Sequence, residues 1–179
     1  MRLRLDGGAW DDWGRCIRTG RESDPRGRFS TREVLREGGV GKTSITNGLA
    51  AVAGDRGMRT LVVDLGPRAT ASVELGIPIP ETGDPQIFTL NDLLHINMGD
   101  DDPVASHRAI HDTIHPAGEM WPATVHVLPA ERKLAHRESD SGPIEMRLRT
   151  GLAAVADDYD PILFDLPPRA CGKLVTAGL

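Results

Sequence analysis

From Thr43 onward the chain alternates between apolar residues spaced for a helix and short unbroken apolar runs. Between Thr43 and Arg56, Ile45, Leu49, Val52 and Ala53 follow the i, i+4, i+7, i+8 spacing of one helix face, and Gly57 supplies a stop. Thr60–Leu65 is a nearly continuous apolar run carrying Asp64 close to its end, the pattern of a strand covered on both faces. Thr89–Leu94 predicts a short helix, and Thr124–Leu128 a strand stopped by Pro129. Met146–Ala156 predicts another helix, with Leu148, Leu152, Ala153 and Val155 apolar. Pro161–Leu166 is a third strand, with Asp165 near its end and Pro167-Pro168 closing it. Strands alternating with helices predict an α/β fold with a mainly parallel sheet. Such sheets bind ligands beyond the carboxyl ends of their strands, where Asp64 and Asp165 would both lie.

Residues 1–36 carry no comparable pattern. They hold nine arginines against six acids, a net charge of +3 that leaves −8 on the rest of the chain. Glycine and polar residues interrupt any periodicity, and Asp24-Pro25-Arg26-Gly27 reads as a turn. A poorly ordered N-terminal extension is expected here, followed by one domain over residues 37–179.

Composition narrows the function classes. The net charge of −5 argues against strong attraction of the whole chain to nucleic acid or membrane. No apolar run approaches the roughly 18 residues of a membrane span, and the N-terminus lacks the apolar stretch of a signal peptide, so a cytoplasmic protein is expected. Cys16 and Cys171 stand far apart, which offers neither a zinc site nor a disulfide framework.

The strongest chemical signal is Gly38-Gly39-Val40-Gly41-Lys42-Thr43-Ser44. Glycines let successive backbone N–H groups turn inward around phosphate oxygens, where a Cβ would obstruct them. The helix that follows aims its unpaired N–H groups and partial positive charge at the same anion. Lys42 can reach the β- and γ-phosphates, and the Thr43 hydroxyl can ligate Mg²⁺.

In this context the stretch GGVGKTSITNGLAAVAGDRGMRTLVVDLGPRATASVELGI resembles the opening of ParA-type partition ATPases, relatives of MinD with a deviant Walker A box. The likeness continues through TLNDLL, VHVLPAERKLA and DDYDPILFDLPP, the last matching the Walker B region, and covers about residues 36 to 179. It implies a three-layer α/β/α P-loop fold, incomplete in this chain, with ATP and Mg²⁺ as cofactors. By the same resemblance Gly38 to Ser44 hold the phosphates, Lys42 is the catalytic lysine, Thr43 ligates Mg²⁺, and Asp165 holds it through water. Asp64, at the neighbouring strand end, joins the candidate metal set. The family forms a dimer around two ATP molecules, binds DNA non-specifically in that state, and is discharged by a ParB-type partner.

Four departures modify these expectations. The family box begins with a lysine that contacts the partner subunit's phosphates, whereas this chain has Glu37, preceded by Arg36. A carboxylate about 4 Å from a phosphate charge costs on the order of 4 kcal/mol at an effective dielectric near 20, which opposes the nucleotide-dependent homodimer. The family writes DLDPQ where this chain has Asp64-Leu65-Gly66-Pro67-Arg68, so the second aspartate, which positions the attacking water, is replaced by Gly66. The segment before the P-loop, Arg28 to Arg36, places charges where a buried strand is expected, and Ser30-Thr31-Arg32-Glu33 reads as a capping box. The sequence stops at Leu179, before the family's adenine pocket and basic surface, so DNA binding is not carried over.

Weaker signals carry less. His107, His111 and His115 fall at i, i+4, i+8 and would share one face if helical, most simply a solvated face. Asp100-Asp101-Asp102 reads as a loop before a helix starting near Pro103. Nitrogenase iron proteins need cluster cysteines that this chain lacks, and nothing suggests a small-molecule ligase substrate. Three readings follow: a ParA-like ATP-binding partition protein with impaired hydrolysis, a non-catalytic regulator that binds nucleotide or a full-length ParA homologue, and a degenerate remnant.

Overall fold

The computed structural model describes residues 41–78, 87–95, 109–139, 144–167 and 172–174. The expected extension over 1–36, the charged segment 28–36 and the acidic run at 100–102 lie outside these residues.

A four-stranded sheet organises the described chain. β1 (Thr60–Asp64) pairs in parallel with β3 (Val125–Leu128) on one side and with β4 (Ile162–Asp165) on the other. The two-residue β2 (His115–Pro116) adds antiparallel to β3, giving the order β2-β3-β1-β4. All five residues of β1 are buried, which explains its unbroken apolar run. Alternate residues of β1 serve different cores. Leu61 and Val63 pack on one face with Leu90, Leu94, Ile110, Leu128 and Leu148. Val62 faces the other side, with Ala50, Leu75, Val127 and Leu163.

Helices cover both faces. α1 (Lys42–Asp55), with Leu75 and Ile77 just after the short α2 (Thr70–Glu74), supplies the second core, whereas α3 (Leu90–His95), α4 (described over 109–113) and α5 (Ile144–Val155) supply the first. The result is the three-layer α/β/α arrangement with a mostly parallel sheet. Sequence periodicity places α1, β1, α3, β3, α5 and β4 within about two residues of where they lie. It misses α2, β2 and the 3-10 helix Arg132–Ser139, which are too short or too polar to carry a period.

α1 ends as its sequence dictates. Gly57 adopts φ 75°, and the N–H groups of Gly57 and Met58 donate to the carbonyls of Gly54 and Ala53, the Schellman arrangement. One turn earlier Gly54 allows the helix to touch the sheet, for a Cβ there would lie 2.7 Å from both Pro122 and Val125.

The histidine spacing does not become one helix face. His111 lies in α4, but His115 is in β2 with Nε2 2.8 Å from the Phe88 carbonyl oxygen, and His107 lies outside the described residues. A helix continuing to His115 would forgo that strand's pairing with Val127.

Candidate nucleotide site

The carboxyl ends of β1 and β4 meet the start of α1. Asp64 and Asp165 are register partners on adjacent strands. Gly41 is the N-cap of α1 in the left-handed conformation at φ 82°, and no side chain caps the helix. No acid sits in its first turn either, so the terminal N–H groups face no carboxylate from their own helix. Gly38, Gly39 and Val40, the rest of the expected phosphate loop, lie outside the described residues.

Lys42 is buried at 8% exposure, Thr43 is half-buried and Ser44 is exposed. The Thr43 hydroxyl donates to Asp165 Oδ2 at 2.8 Å. Asp165 Oδ1 is buried and has no hydrogen-bond partner. Burial raises the Asp165 pKa above the ordinary carboxylate value; the Thr43 hydrogen bond and the Lys42 ammonium pull it down, and the Glu74 carboxylate adds to the rise. A buried acceptor without a donor is costly. A metal-bound water donating to Oδ1 would satisfy it, with the Thr43 oxygen beside it as a direct ligand, so these residues fit Mg²⁺.

Asp64 is engaged differently. One oxygen accepts the Gly66 N–H at 2.8 Å; the other accepts the Ser72 N–H at 2.9 Å and the Ser72 hydroxyl at 2.7 Å. The carboxyl is fully buried, and this burial pushes its pKa up to about 6, against the Ser72 and Gly66 hydrogen bonds and with a further rise from Asp165. Ser72 Oγ also accepts the Ala130 N–H at 3.1 Å, joining the end of β1 to the chain beyond β3. Asp64 thus lies at the site and folds the loop after β1 back onto itself.

Sequence reasoning misses Ser72, Asn47 and Glu74. Asn47, one turn beyond Thr43, donates to Glu74 Oε2 at 2.8 Å and keeps a buried Oδ1 without a partner. Nothing local marks these residues, because the loop that brings α2 against α1 has no periodic signature.

This is the fold of the P-loop proteins. A family model described as an AAA domain matches residues 34–178. The chain belongs to that family, and proteins of the ParA and Soj type are its homologues. The chromosome partitioning protein ParA of Myxococcus xanthus is 33% identical over 165 residues, covering 86% of this chain and 52% of that protein. The sporulation initiation inhibitor protein Soj of Bacillus subtilis is 34% identical over 133 residues, 74% of this chain and 47% of that one. The chain therefore spans about half the length of these relatives.

Among solved structures, a cobyrinic acid a,c-diamide synthase from Mycobacterium smegmatis with bound ADP and magnesium superposes with a TM-score of 0.62 at 27% identity, over 82% of this chain and 53% of that one. An ATP complex of a McdA variant from Cyanothece gives 0.60 at 19% identity, over 81% and 50%, and shows the shared fold. Among the described residues no helix is long and apolar enough to cross a membrane.

Proposed function

We propose that the chain is an ATP-binding protein of the ParA type, acting in plasmid or chromosome partitioning in the cytoplasm, with slow or absent hydrolysis. The observation that carries this reading is the contact of Thr43 with Asp165, whose second oxygen is buried and awaits a donor. Gly38 to Ser44 would wrap the phosphates, Lys42 would neutralise them, and Thr43 and Asp165 would hold Mg²⁺. Asp64 supports the metal site from the adjacent strand while anchoring the following loop. Bound there, Mg²⁺ would offset negative charge on the phosphate oxygens.

Gly66 limits the chemistry. Its N–H is committed to Asp64, and it has no side chain to orient water. Loss of such a group typically costs about 10²–10⁴-fold in rate. This favours the non-catalytic alternative, in which the chain binds nucleotide or a full-length homologue as a regulator. A ParB-like protein or a ParA homologue is the proposed partner. Glu37 weighs against an ATP-bridged homodimer, and the net charge against DNA binding.

Titration of the purified chain with a fluorescent ATP analogue, with and without Mg²⁺, tests the core of the proposal. Saturable, Mg²⁺-enhanced binding abolished by Lys42→Ala is the expected result. A folded chain that ignores millimolar adenine nucleotide would sink it. Phosphate release measured on the same sample separates the ATPase from the regulator.

A further inference from the structure

The amino ends of the strands hold a second polar cluster, at the opposite end of the sheet from Thr43 and Asp165. Arg59 immediately precedes β1, Tyr159 lies three residues before β4, and His126 is the second residue of β3. They surround an open cleft of about 210 Å³, which His111, Val155 and Asp158 also line.

Tyr159 organises the cluster. Its hydroxyl lies 3.0 Å from His126 Nδ1, and the two rings meet edge-on at 88° with centroids 5.6 Å apart. The Arg59 guanidinium lies 5.3 Å from the centre of the tyrosine ring. Contact with a π face uses none of the five guanidinium N–H donors. Among the described residues, Arg59 forms no ion pair with a carboxylate. With Nδ1 committed to Tyr159, Nε2 is the ring nitrogen His126 has left for a ligand. Burial, reinforced by the Arg59 charge, keeps this imidazole neutral at lower pH than usual.

We propose that this cleft binds a small oxyanion, a carboxylate or a phosphate, gripped by the N–H fork of Arg59 beside His126. The planar fork matches both groups with paired hydrogen bonds. The cleft is smaller than the roughly 300–1,000 Å³ of drug-sized pockets, so the ligand is a small ion or the anionic end of a larger molecule. Asp158 also lines the cleft, so an anion would be held at Arg59 and away from that carboxylate. The site owes nothing to the nucleotide reading, since no residue is shared between them.

NMR titration of the full chain with sodium acetate and with inorganic phosphate, at constant ionic strength set by chloride, tests the proposal. Saturable shifts of the Arg59 Nε and His126 ring signals are expected with at least one anion, and the anion that saturates identifies the group. Arg59→Gln should weaken binding at least tenfold with an unchanged melting temperature and unchanged nucleotide affinity. Arg59→Lys, which keeps the charge and loses the fork, should fall between the two. Shifts that stay linear to 50-fold excess, or equal affinity in wild type and either variant, would overturn it. So would displacement of the anion by ATP.

Discussion

Thr43 and Asp165 lie 122 positions apart in the chain, yet the hydroxyl of one donates to the carboxylate of the other at 2.8 Å. That bond ties the first turn of α1 to the end of β4 and leaves Asp165 Oδ1 facing inward without a donor. Asp165→Asn weakens the charge at this corner while keeping its size. It should reduce Mg²⁺-supported ATP affinity by about 10- to 100-fold, the usual effect of losing a group that orients a metal's ligands. Binding without Mg²⁺ should change little. Titration with the fluorescent analogue in the presence and absence of Mg²⁺ checks both statements.

Gly66 stands where the resemblance to ParA-type ATPases expects an aspartate that orients water. Gly66→Asp should raise phosphate release by about 10²-fold or more, the low end of what a positioned base contributes. A Cβ on Gly66 would lie 3.2 Å from Asp64 Oδ1, so the Asp64 carboxyl must yield by a few tenths of an ångström. A small fall in melting temperature should accompany the gain. Turnover indistinguishable from wild type in a folded variant would show that the missing side chain is not what limits hydrolysis.

Ser72 serves two buried partners, Asp64 Oδ2 and the Ala130 N–H. Ser72→Ala strands the Ala130 N–H and leaves Asp64 Oδ2 with the Ser72 N–H alone, and a buried group left unsatisfied costs about 1–3 kcal/mol. Ser72→Thr keeps the hydroxyl and should recover most of the loss. Urea unfolding of the three proteins reads the difference directly.

His126 predicts a pH dependence at the other end of the sheet. Its pKa is lowered from 6.5, first by burial and then by the Arg59 charge. The unfolded chain therefore takes up this proton before the folded chain does, and stability falls as pH drops below about 6.5. Above that value the group makes no pH-dependent contribution. The stability difference between wild type and His126→Gln should shrink from pH 7.5 to pH 5.5. A difference that stays constant across this range would refute the assignment.

The fold was legible where burial on two faces forces a composition, and the site where chemistry forces a residue type. Leu61, Val62 and Val63 announce a central strand because none of them meets water. Lys42, Thr43 and Asp165 could be proposed from the sequence because phosphate and Mg²⁺ would demand a cation, a hydroxyl and a carboxylate, and the structure brings Thr43 and Asp165 into contact. The roles of Ser72 and Asn47 were not, for each depends on the loop between β1 and α2, whose path is set by tertiary hydrogen bonds rather than by local preference. His115 misled for a related reason. Its spacing from His111 fits a helix, but β2 is only two residues long and leaves no alternating pattern to compete with it.

The three hydrogen bonds that converge on Asp64 make the segment from Gly66 to Ser72 behave as a latch rather than a hinge. Pulling it away from β1 would strip every donor from one buried anion in a single step. Any rearrangement driven by nucleotide must therefore carry the strand end along with this segment or leave both in place. Under the proposed function, motion in response to bound ATP would belong to parts of the chain that are not fastened to that carboxylate.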